Sequence, residues 1–115
     1  MLDAMKHEEI DTSLHEAQTT LDLVAYRDAS VVSRVVLKHK GGSVTLFAFD
    51  ADQQLSEHTA PFDALVNVLE GEVELTVSGK AFRVTAGQIF TFVANKPHGV
   101  RAVSRVKMML TMIHL

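Results

Sequence analysis

Hydrophobic and polar positions divide this chain into two stretches of different texture. From Leu23 onward, apolar and β-branched runs alternate with turn residues. The runs are Ser30–Leu37, Ser43–Phe49, Ala64–Leu69, Glu72–Val77, Ala81–Val84, Gln88–Val93, His98–Val103 and Val106–Ile113. Between them stand Lys40-Gly41-Gly42, Asp50-Ala51-Asp52, Glu70-Gly71, Ser78-Gly79-Lys80, Ala86-Gly87 and Asn95-Lys96-Pro97. Runs this short, bounded this often by turn formers, predict strands. Gly71, Gly79 and Gly87 recur at intervals of eight residues, as tight turns needing positive φ would require. Many short strands joined by Gly-rich turns predict an all-β sandwich or barrel.

The faces of these strands can also be read. Val73, Leu75 and Val77 alternate with Glu72, Glu74 and Thr76, which gives one core face and one solvent face. Ala64–Leu69 and Val106–Ile113 are apolar on both faces. Such strands belong in the middle of a structure, with one face towards a lumen and the other against a second layer. A lone small barrel would leave much of that outer surface exposed, so a homodimer is expected. Met108, Met109 and Met112 crowd the last strand, where they can line an adaptable pocket or simply fill core.

The first 22 residues read differently. They are polar and acidic, and Ile10 and Leu14 form too thin a stripe to specify a helix. The expected organisation is an acidic arm over 1–22 and one barrel domain over 23–115. The arm carries six acids against Lys6 alone, whereas residues 76–115 carry six bases and no acid. Docking of the arm on a basic surface and two solvated faces of opposite sign both remain open.

At 115 residues, with 47% hydrophobic and 22% charged residues, the chain holds enough apolar material for one core and one domain. A net charge of −3 offers no general attraction to nucleic acid or anionic membrane, so neither is an expected partner. The absence of cysteine excludes disulfides, thiolate metal sites and cysteine nucleophiles. The acidic start lacks the pattern of a secretory signal and no apolar run spans a bilayer, so a cytoplasmic location is expected. Phosphate loops, G-x-S-x-G elbows and H-E-x-x-H helices are all missing from the sequence.

Two segments resemble the paired motifs of the cupin superfamily. The first cupin motif reads H-x-H, three or four residues, E, six residues, G. Here it corresponds to His58-Thr59-Ala60-Pro61-Phe62-Asp63-Ala64, followed by six residues to Gly71. The second corresponds to Gly87-Gln88-Ile89-Phe90-Thr91-Phe92-Val93-Ala94-Asn95-Lys96-Pro97-His98. The likeness extends over about Ser30 to Ile113. It implies an all-β cupin jelly-roll, or double-stranded β-helix barrel, commonly a homodimer, with a metal in its mouth held by three histidines and one glutamate. Of those four positions, this chain keeps His58 and His98. The second histidine position is Ala60 and the glutamate position is Ala64.

His58 and His98 are therefore the candidate ligand-binding residues and the candidate metal ligands, with Asp63 as a possible third group. Two imidazoles facing one cavity can begin a site for Zn, Fe, Ni, Mn or Cu. They can equally hydrogen-bond an organic ligand without metal. Asp63 neighbours an aligned position and, by strand alternation, points the other way unless Pro61 introduces a bulge. His7, Asp11 and His15 share a helical spacing but belong to the solvated arm, while His39 and His114 read as turn and surface residues. Glu70, Glu72 and Glu74 mark a solvent face. The expected function is binding of a small organic ligand in the barrel mouth, with or without a divalent metal. The alternative is a metal-dependent oxygenase or isomerase of small molecules.

Overall fold

The computed structural model describes residues 16–114. Nine strands follow a 3-10 turn at Thr20–Asp22 among these residues: β1 (Val31–His39), β2 (Gly42–Phe49), β3 (Gln54–His58), β4 (Asp63–Glu70), β5 (Glu72–Val77), β6 (Lys80–Thr85), β7 (Ile89–Phe92), β8 (His98–Ala102) and β9 (Val106–Ile113). They form a five-stranded sheet, β1-β2-β9-β4-β7, and a four-stranded sheet, β3-β8-β5-β6, with every pairing antiparallel. The expected all-β jelly-roll is the architecture present. All eight predicted strands are found, and β3 is the addition. Its Gln-Leu-Ser-Glu-His sequence carries one apolar side chain and is mostly exposed, so hydrophobic pattern could not reveal it.

Alternating side chains from both sheets meet in one core. Phe49, Val66, Val68, Val106 and Met108 come from the five-stranded sheet, and Val73, Leu75, Val100 and Ala102 from the other. Burying a side chain of this kind contributes roughly 1.5–3 kcal/mol. The β5–β6 hairpin turns on Ser78 and Gly79, both at positive φ (50° and 83°), the geometry of a two-residue type I′ turn. Gly71 has a different task, because the chain passes from one sheet to the other there. Its φ is +82°, and a Cβ would come within 2.0 Å of the Arg105 carbonyl oxygen in the parallel crossing from β8 to β9. The two crossings close one end of the barrel against each other.

Outside the barrel, a second cluster gathers on the outer face of the five-stranded sheet. Val24, Leu46 and Ala48 are buried there, with Leu23, Tyr26, Val32, Val36, Leu69 and Met109 around them. The segment leading into β1 is strapped down by Lys107 Nζ donating to the Leu21 carbonyl (2.6 Å) and Arg34 Nη1 donating to that of Leu23 (3.2 Å). The Tyr26 hydroxyl donates to Glu70 Oε2 at 2.5 Å. Burial first, then the Glu70 carboxylate, push the phenol well above its usual range. Beyond this strap the face stays open, with Ile89, Val93 and Ile113 exposed at 64%, 55% and 55% among the polar Asp63, Asn67, Thr91 and Thr111. Of the arm expected over 1–22, residues 1–15 lie outside the described residues, and so do His7, Asp11 and His15. No helix among the described residues is long and apolar enough to cross a membrane.

Candidate functional site

The end of the barrel opposite Gly71 is not filled. Where large side chains occupy the interior at the closed end, the open end presents Ala60 and Ala64, and a cavity of about 180 Å³ remains. Phe47, Phe62 and Phe92, Leu55, Val100 and Leu110, and Met108 and Met112 complete the apolar wall. Among the described residues, His58 and His98 supply the only polar side chains that line it.

Both imidazoles reach this spot through backbone geometry. They stand directly opposite each other in the β3–β8 pairing. Leu55 also lines the cavity, yet it lies an odd number of residues from His58, so regular alternation would put the two on opposite faces. A register shift between Leu55 and His58 inserts the extra residue that returns His58 to the inner face. Gly99 sits beneath this bulge, where a Cβ would approach Thr76 Oγ1 to 3.0 Å and Glu57 N to 3.4 Å. The rings then meet edge to face, with centroids 4.5 Å apart at 64°. His98 is also stacked on Phe92 at 4.4 Å and 16°. His98 is only 8% exposed, whereas His58 stands at the open rim.

The two histidines are oriented in the same manner. His58 Nδ1 lies 2.8 Å from the Ser56 carbonyl and His98 Nδ1 lies 3.0 Å from the Lys96 carbonyl, each acceptor two residues upstream. A carbonyl oxygen only accepts, so each Nδ1 carries the hydrogen. In the neutral rings this leaves each Nε2 as a lone-pair acceptor.

The remaining candidates lie elsewhere. Asp63 is exposed and does not line the cavity, and its Oδ1 accepts from the Ala94 amide at 2.8 Å. With the Asn95 amide donating to the Ala60 carbonyl (2.8 Å), this contact ties the β3–β4 connection to the β7–β8 turn. The bulge that Pro61 was a candidate to provide falls instead between Leu55 and His58, and Asp63 keeps its outward direction. His39 is exposed at the end of β1. His114 packs on Phe62 at 4.8 Å and so backs the cavity wall. Glu72 and Glu74 pair with Arg83, and Glu74 also with Arg101, on the outer face of the four-stranded sheet, while Glu70 holds Tyr26. Of the three clustered methionines, Met108 and Met112 line the cavity, and Met109 alternates outward into the strap cluster. The phenylalanines of the wall were not singled out as site residues in the sequence. Phe47 and Phe92 lie in apolar strand runs that read only as core, and Phe62 lies in the connection between β3 and β4.

The metal implied by the resemblance can be tested against this donor set. Two imidazoles line the cavity, and the other two ligand positions offer the methyl groups of Ala60 and Ala64. Among the described residues, no group of three His, Cys, Asp or Glu side chains could hold a metal ion. A site with half its ligands replaced by methyls does not fit a resident four-ligand metal.

A protein-family model described as Cupin domain matches residues 45–114. The chain is similar to a conserved protein of unknown function from Streptococcus pyogenes, with 27% identity, a TM-score of 0.83, and coverage of 87% of this chain and 88% of that one. It is similar to an RmlC-like cupin from Desulfovibrio desulfuricans, with 27% identity, a TM-score of 0.75, and coverage of 85% and 95%. It is also 34% identical to a cupin 2 conserved barrel domain protein from Leptotrichia buccalis, with a TM-score of 0.79, over 82% of this chain but 46% of that one. No curated protein matches the chain.

Proposed function

This chain belongs to the cupin superfamily, and from that premise we propose that it binds a small organic ligand in the barrel mouth, with His58 and His98 as the polar contacts. One observation carries the reading: the open end holds an apolar cavity of about 180 Å³ whose polar side chains, among the described residues, are two oriented imidazoles. A concave apolar site with a few convergent polar groups is the usual form of a small-molecule site. The imidazoles are held by backbone carbonyls, so their orientation does not have to be acquired when a ligand arrives. The alternative, a metal-dependent oxygenase or isomerase, finds only two donors at the cavity, and Ala60 and Ala64 weigh against it.

The methionines provide the test. With methyl-¹³C-methionine incorporated, a set of neutral organic compounds of about seven or eight heavy atoms is screened by NMR. Compounds that enter the cavity shift the Met108 and Met112 methyl signals and leave Met109 in place, since only the first two line the wall. His58→Ala and His98→Ala should weaken that binding while the Met109 signal still reports a folded strap. If no compound in the set moves Met108 or Met112, the cavity is not a ligand site and the reading fails.

A further inference from the structure

The walls of the cavity narrow the ligand further, and this step rests on the reading just given. We infer that the site takes a neutral molecule built on a single unsaturated or aromatic ring and bearing one hydroxyl group, which donates to a histidine Nε2.

Size comes first. An apolar protein cavity of roughly 150 Å³ accommodates one benzene molecule. The cavity here, about 180 Å³, has room for one ring and one or two further heavy atoms. Its surroundings suit a flat, polarizable ring. Phe47, Phe62 and Phe92 present aromatic surfaces, and Met108 and Met112 bring thioethers, which make favourable contacts with ring edges.

Charge is decided by what the wall lacks. None of the described residues lining the cavity is Lys, Arg, Asp or Glu. A carboxylate or ammonium entering it would lose hydration and meet no fixed opposite charge, a cost of several kcal/mol. A neutral ligand avoids that cost.

The polar group follows from hydrogen-bond direction. With Nδ1 of His58 donating to the Ser56 carbonyl and Nδ1 of His98 to the Lys96 carbonyl, each neutral ring turns an acceptor, not a donor, towards whatever it faces. A carbonyl-only ligand would set acceptor against acceptor. A hydroxyl supplies the missing donor. His98, almost fully buried and stacked on Phe92, is the acceptor set deepest, and His58 at the rim is the alternative one.

Three probes of nearly equal size separate these points: 4-methylphenol, toluene and benzylammonium, each titrated into the full chain by calorimetry and followed on the Met108 and Met112 methyl signals. The expected result is 4-methylphenol binding about 10-fold more tightly than toluene, the worth of one added hydrogen bond, with benzylammonium weakest. In His58→Leu/His98→Leu the preference for 4-methylphenol over toluene should fall to near unity. If that double variant does not fold, the three-probe comparison in the native chain decides alone. Equal binding of 4-methylphenol and toluene overturns the hydroxyl inference and leaves the ligand-binding reading standing. Tightest binding by benzylammonium overturns the neutral class. If none of the three binds, the inference falls, and the screen of neutral compounds above decides whether the binding reading falls with it.

Discussion

Rebuilding the missing half of the ligand sphere asks whether the cavity-facing register is correct. Ala60 and Ala64 both line the cavity, and Ala64 is buried, with 8% exposure. In Ala60→His/Ala64→Glu, the new imidazole and carboxylate project into the space beside His58 and His98. Without metal, the variant has a carboxylate in an apolar pocket. That costs on the order of 2–3 kcal/mol once solvent access through the mouth is allowed for. For a domain of this size each kcal/mol moves Tm by roughly 4–8 °C, so the metal-free variant should melt about 10–20 °C below the parent. With four ligands present, metal binds the folded state alone, and a hundredfold excess over Kd returns about 2.7 kcal/mol. Thermal melts with chelator and with added zinc or cobalt read both halves of this cycle. The variant should recover most of its lost Tm on metal addition, while the parent, with two donors, moves little. A folded variant whose Tm does not respond to metal would refute the placement of Ala60 and Ala64 as ligand positions. A parent that already binds metal stoichiometrically would refute the conclusion that its donor set does not fit one.

Other expected outcomes concern the fold and its assembly. A chain beginning at Thr20 should keep its β-type circular dichroism and nearly all its stability. One beginning at Arg27 loses buried Val24 and the Tyr26–Glu70 hydrogen bond and should lose about 3–5 kcal/mol in urea denaturation. The Asp50 carboxyl is held below its usual range by the Ala29 amide first, then by Arg105, so its ionised form is favoured in the fold. Its contribution is present above the ordinary carboxylate pKa of about 4 and is lost as pH falls through the depressed folded value. Asp50→Asn should therefore flatten the acid limb of the stability curve, measured as the urea midpoint at a series of pH values. A homodimer formed through the outer face around the exposed Ile89, Val93 and Ile113 should appear by light scattering at micromolar concentration, and Ile113→Lys should dissociate it. A monomer throughout that range would count against this face as an interface.

What was legible in the sequence was local. Period-2 alternation in Glu72–Val77 and the glycines at positions 71, 79 and 87 determine strands and turns through chain stereochemistry alone, and the three glycines do adopt positive φ. The motif spacing alone brings His58 and His98 together, because two strands paired in a known topology bring their aligned positions opposite each other. Tertiary structure decided the rest. Strand β3 exists because β8 offers it an edge, since its own side chains supply almost no burial. The inward direction of His58 depends on a bulge between Leu55 and His58, an insertion in pairing that has no local signature in Ser56-Glu57. Which of Met108, Met109 and Met112 face the cavity was set by which sheet face was turned inward. The cavity itself is a shortage of volume, created where Ala60 and Ala64 meet residues from five other strands. Volume is summed over neighbours in space, so no reading of one strand at a time could have measured it.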